Sequence, residues 1–123
     1  MAKKRIIQET EILIKTINNA ILEKKGENLL NLDMTKLDNA VARHFIICHG
    51  SSSTQVRSIA SYVEEMVREN LNEKPWKKEG YDNSEWILLD FVNVVVHIFQ
   101  PGPREFYKLE KLWADAETIL IEN

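Results

Sequence analysis

The sequence predicts a single α/β domain in which a mixed β-sheet is flanked by helices, and three observations carry that reading. Segments of helical periodicity alternate with short apolar runs, the pattern produced when strands and helices stack in layers. Phe45-Ile46-Ile47-Cys48 is an uninterrupted apolar run, as expected of a central strand covered on both faces. Trp86 to Phe91 and Val94 to Phe99 are two more strand-like runs, close enough in sequence to form a hairpin. The 123 residues suffice for one good core and are too few for two, so residues 1–123 are read as one domain.

From the N-terminus, Ile6, Thr10, Leu13, Ile14, Ile17, Ala20 and Ile21 recur at helical spacing, which predicts an amphipathic helix over residues 4 to 25 with Gly26 as its stop. Leu29 to Asp33 is a short strand, Lys36 to Arg43 a connection, and the Phe45 strand follows. His49-Gly50-Ser51-Ser52-Ser53 turns the chain. Ser52 and Gln55 have the spacing of a capping box, so a helix starts there and runs through Val56, Ile59, Ala60, Val63 and Val67. It should end near Asn72, because the residue before Pro75 resists helical geometry. Trp76 to Gly80 is a short strand candidate, and Tyr81 to Ser84 a loop.

The hairpin fixes a register. If Val92-Asn93 is a two-residue turn, Phe91 pairs with Val94, Leu89 with Val96 and Ile87 with Ile98, and one face is wholly apolar. The opposite face then carries Trp86, Leu88 and Asp90 against Phe99, His97 and Val95. A mixed face of this kind often meets a partner; the alternative is that helices cover this face as well, with Asp90 and His97 satisfied internally. Pro101-Gly102-Pro103 separates the hairpin from a last helix with the stripe Phe106, Leu109, Trp113, Ala116 and Leu120, after which a loose C-terminal tail is expected.

Net charge is −3, which argues against binding driven by a broad phosphate-neutralising surface and favours a basic protein partner, with RNA contact at most peripheral. The basic runs Lys3-Lys4-Arg5 and Lys77-Lys78 are short and read as solvated faces. A lone cysteine, Cys48, inside an apolar strand fits a buried thiol in a reducing compartment. With neither a membrane-length apolar run nor a signal-like N-terminus, the expected location is cytoplasmic.

Catalytic patterns are lacking. The strand-turn-helix at Ile46 to Gln55 could cradle a phosphate, but it has one glycine and neither phosphate-loop motif, so helix capping explains it. Two-metal chemistry needs converging carboxylates. Asp115/Glu117 and Glu9/Glu11 lie on helical segments, where that spacing diverges. His44, His49 and His97 lack zinc spacing, and Ser51 to Ser53 lack a nucleophile-elbow pattern. No cofactor, metal or catalytic residue is expected.

FIICHGSSSTQVRSIASYV at Phe45 to Val63, SEWILLDF ending at Phe91, VVVHIF at Val94 to Phe99 and REFYKLEKLW at Arg104 to Trp113, in this order, resemble the ribosomal silencing factor (iojap) family. The resemblance implies a non-enzymatic translation repressor with a nucleotidyltransferase-like fold that lacks the catalytic carboxylates. It implies binding to the large ribosomal subunit through that subunit's fourteenth protein, sterically blocking small-subunit joining when nutrients are scarce, and a possible homodimer when free. Organellar relatives imply large-subunit assembly as an alternative role; a small nucleotidyltransferase is the enzyme-class alternative. Trp86, Asp90, His97, Arg104, Tyr107, Leu109 and Trp113 match the family's pattern. With Leu88 and Phe99 of the mixed face they form the expected partner-binding set. Ala42-Arg43-His44 stands where the family usually has Thr-Asp and an aromatic, Val92-Asn93 where it has Gly-Asp, and Pro101-Gly102-Pro103 where the connection is usually more acidic.

Overall fold

The computed structural model describes residues 2–37, 43–112 and 116–121. Its elements run α1 Ala2–Glu23, β1 Glu27–Asp33, β2 His44–His49, α2 Ser53–Leu71, β3 Lys77–Glu79, β4 Trp86–Asp90, β5 Val94–Phe99, α3 Pro101–Tyr107, α4 Leu109–Leu112 and β6 Glu117–Leu120. The strands form one sheet in the order β3-β4-β5-β2-β1-β6. The β2–β5 pair is parallel and the others are antiparallel, so the sheet is mixed and the Phe45 strand and hairpin are central, as the sequence predicts.

Side-chain alternation assigns the two faces. Leu29, Ile46, Cys48, Ile87, Leu89, Val94, Val96 and Ile98 point to one side, where they meet Leu13, Ile17 and Ile21 of α1 and Val56, Ile59, Val63 and Val67 of α2. Burying each large side chain stabilises the fold by about 1.5–3 kcal/mol, and this face holds most of them. The Cys48 thiol is fully buried here, and burial pushes its pKa up to about 12. A smaller cluster lies on the other face: Leu32, Met34, Phe45, Ile47, Val95, Phe99, Leu109 and Ala116.

Both long helices end by identifiable chemistry. At the end of α1 the Gly26 N–H reaches the Ile21 carbonyl at 2.9 Å and the Lys25 N–H reaches that of Leu22 at 3.0 Å, while Lys25 itself takes the left-handed conformation at φ 62°. Gly26 serves for space: a Cβ there would lie 2.4 Å from Ile21 Cγ2. At α2 the Gln55 N–H donates to Ser52 Oγ at 3.1 Å, the predicted cap. The reciprocal arm is shifted, since Gln55 Oε1 accepts from the N–H and hydroxyl of Ser51 and Gln55 Nε2 donates to the Lys25 carbonyl at 3.2 Å. One side chain thereby ties the start of α2 to the end of α1. Asn72, at φ 54°, terminates α2 where the sequence reading put the end.

The C-terminal segment departs from expectation. The last helix does not run through Leu120: α3 ends at Lys108, left-handed at φ 47°, and α4 is a short following turn. Glu117–Leu120 is a strand paired antiparallel with β1, so these residues are not the end of a helix; beyond Leu120 only Ile121 is among the described residues. Among the described residues, no helix is long and apolar enough to cross a membrane.

Candidate docking face

The hairpin has the register derived from the sequence: Trp86 lies opposite Phe99, Ile87 opposite Ile98, Leu88 opposite His97, Leu89 opposite Val96 and Asp90 opposite Val95. The Phe91 N–H bonds the Val94 carbonyl at 2.8 Å and closes the two-residue turn. Val92 sits at φ 76°, and the Asn93 N–H reaches back to the Phe91 carbonyl at 3.1 Å, a γ-turn of the rare positive-φ kind. A β-branched residue is strained there. Two contacts hold the turn nonetheless. Asp90 Oδ1 accepts from the Val92 N–H at 2.7 Å, and the Asn93 carbonyl accepts from the N–H groups of Arg43 and His44 at 3.0 and 3.1 Å. Asp90, expected to meet a partner, therefore already braces the hairpin.

The opposite end of β4 starts against Gly80. At φ 93° a Cβ on this residue would fall 1.9 Å from the Trp86 carbonyl oxygen, so a side chain there would displace the strand that carries Trp86. Trp86 itself is half-buried, lying between Phe99 and Tyr107, with ring centroids 4.8 Å away on each side. Its indole N–H donates to His97 Nδ1 at 3.1 Å. An indole nitrogen can only donate, so His97 carries its proton on Nε2, and that atom has no hydrogen-bond partner. The imidazole meets the Phe45 ring edge to face at 4.6 Å, and burial pushes its pKa down to about 3.

The expected exposed face is therefore corrected in part. His97 at 4%, Phe99 at 1% and Leu109 at 8% exposure lie beneath the surface, because Trp86, Tyr107 and the α3–α4 segment cover this side of β5. Leu88 is half-buried against the same cluster, while Tyr107 is 52% exposed. Arg104 Nη1 donates to His49 Nδ1 at 2.9 Å, and His49 Nε2 lies 3.0 Å from the Glu27 carboxylate. Burial and the Arg104 guanidinium both hold the His49 pKa down, so the ring is neutral and links α3 to the first two strands. Trp113 lies outside the described residues.

Two exposed aromatic side chains were missing from the expected set. Phe106, 80% exposed, packs its edge on Tyr107 at 5.1 Å, and Trp76, 75% exposed, precedes β3. The helical stripe assigned Phe106 to the core. Adjacent residues on a helix point about 100° apart, so Tyr107 facing Trp86 already required Phe106 to turn outward. On β3, Lys77 and Glu79 lie beside Asp90 and Leu88, pair at 3.2 Å, and give this rim its charge.

Among the described residues, no group of three or more His, Cys, Asp or Glu could hold a metal ion. The family model described as "Ribosomal silencing factor during starvation" matches residues 7–123. The chain is 39% identical over 111 residues to the ribosomal silencing factor of Halalkalibacterium halodurans, covering 90% of this chain and 93% of that one. It is 41% identical over 104 residues to that of Bacillus subtilis, covering 85% and 86%. A crystal structure of a Chromobacterium violaceum protein superposes with a TM-score of 0.79 at 28% identity, covering 92% of each chain.

Proposed function

Since the chain belongs to the ribosomal silencing factor family, and so to non-enzymatic regulators of ribosomes, we propose that it docks on the large subunit through the Trp86–Tyr107 face and keeps the small subunit from joining. The partner we infer is the fourteenth protein of the large subunit, a basic surface for a chain of net charge −3. Translation would then fall by steric exclusion, with no turnover.

The observation that carries this reading is the aromatic pair Trp86 and Tyr107, in contact with ring centroids 4.8 Å apart, with Tyr107 half-exposed and Phe106 beside it 80% exposed. Aromatic side chains at the centre of an interface dominate its energetics. Trp86, Leu88 and Tyr107 are the proposed contacts, Asp90 and Arg104 set the ends of the face, and His97, Phe99 and Leu109 support it from below. Trp113 stays in the set on the family pattern. A standard-size interface of about 1,600 Å² suffices if such anchors pack well. The nucleotidyltransferase-like scaffold without its carboxylates belongs to the same reading.

Sedimentation of purified ribosomal subunits with added protein tests it. Joined ribosomes should disappear as the protein saturates the large subunit; their undiminished formation at saturation would overturn the mechanism.

A further inference from the structure

Helix α1 carries two stripes. Leu13, Ile17 and Ile21 pack into the core, while Ile7, Ile14, Asn18 and Leu22 form a second stripe beside it at helical spacing. Between this second stripe and the polar ends of β1 and β2 lies an open groove of about 720 Å³, a volume that holds a ligand of drug size. Asn31 and Asp33 of β1 and His44 of β2 form its floor, and Ile121 lies at the Leu22 end. Ile7 and Leu22 stand about 22 Å apart along the helix, so the groove is long.

Three asparagines converge on it against local preference. Asn18 and Asn19 sit within α1, where asparagine is a weak helix former, and Asn31 is 6% exposed in a strand, where asparagine is depleted. Residues that break local rules gather at functional sites. Two of these amides keep unused capacity. Asn31 Oδ1 accepts from His44 Nδ1 at 3.2 Å, which leaves the Asn31 Nδ2 hydrogens to donate. Asn18 Oδ1 is buried without a hydrogen-bond partner, and the soft terminal torsion of asparagine lets it turn to a donor in the groove. The helix wall therefore supplies an acceptor and the strand floor a donor. Charge selects no ion here, because Glu11 and Asp33 are balanced by Lys15 and Arg43.

We propose that this groove is a binding site for a short peptide in extended conformation, uncharged and with aliphatic side chains on alternate residues. A trans peptide unit points its C=O and N–H in opposite directions, so one unit meets Asn31 on one side and Asn18 on the other. A nucleobase gathers donors and acceptors on one edge and does not match. At about 3.3 Å per residue, about six extended residues span the groove. Alternate side chains rest on Ile7, Ile14, Leu22 and Ile121, and Asn19 meets the backbone beside Asn18. The groove opens on the sheet face opposite Trp86, so the site is independent of the docking reading.

Titration of isotope-labelled full-length protein with a capped hexapeptide of alternating leucine and serine, followed by NMR, tests this. The side-chain amide resonances of Asn18, Asn19 and Asn31 should move together as peptide is added. An analogue whose central amides are replaced by esters lacks those N–H donors and should bind roughly tenfold more weakly, as should the hexapeptide to Asn18→Leu. The proposal is overturned if the three asparagine resonances stay fixed at saturating peptide, or if the ester analogue binds as tightly as the peptide. Free leucine or adenosine moving the same resonances as strongly as the hexapeptide also overturns it, by assigning the groove to another ligand class. Should Asn18→Leu fail to fold, the ester comparison on wild-type protein decides alone.

Discussion

Tyr107 and Trp86 touch, yet their substitutions should read differently. Tyr107 is half-exposed and lies at the end of α3, which buries no residue, so Tyr107→Ala should lower stability by about 1 kcal/mol or less while weakening large-subunit binding by about 2 kcal/mol. Trp86 also packs on Phe99 and donates to His97. Trp86→Ala should therefore cost stability as well, about 3 kcal/mol. Urea unfolding beside a pelleting assay separates the two, and equal destabilisation by both would return Tyr107 to the core. His97 adds a pH dependence. It stays neutral in the fold while the unfolded chain takes up a proton below about pH 6.5. Its contribution is complete above that pH and is lost as pH falls toward the folded value of about 3. Unfolding free energy should drop by up to about 1.4 kcal/mol per pH unit for this group. The His44 and His49 shifts have the same direction, so the comparison that isolates His97 is a flatter pH profile in His97→Gln.

Among the elements, the hairpin turn makes the sharpest prediction. Val92 at φ 76° is a conformation that glycine adopts freely, so Val92→Gly should raise stability by about 1 kcal/mol despite the added freedom of the unfolded chain. A lower thermal midpoint for that variant would mean the 61% exposed valine side chain has a packing role not apparent here. The hairpin is also where the sequence could be read most deeply. Its register follows from alternation and a two-residue loop, both local, and the Ser52 cap follows from local spacing too. The C-terminal elements could not be read that way. Phe106, Leu109, Ala116 and Leu120 keep near-helical spacing, but Lys108 turns left-handed and Glu117–Leu120 joins β1, some ninety residues earlier in the chain. A pairing partner that remote outweighs a four-residue preference. Coverage of His97 and Phe99 was one of two readings the sequence left open for the same reason, since it depends on where α3 lands.

For the whole molecule, the sheet sets an order of stability. β5 is buried along its full length and β2 along most of it, whereas β3 and β6 are exposed throughout. Local opening should follow that gradient. Amide exchange on dilute protein should be slowest in β5 and β2 and fastest in the two edge strands; uniform protection across the sheet would contradict this. The parallel β2–β5 pair and the β1–β6 pair both join distant segments, so folding should be slow for a chain of this size.

The indole of Trp86 is held between two rings and tethered by its nitrogen before any partner arrives. Conformational entropy that a loose side chain would surrender on association has already been given up during folding, so a partner docking on this face as proposed would meet it preorganised. Loosening that clamp from below, as His97→Gln would, should shorten the residence time on the large subunit even though the altered side chain never reaches it.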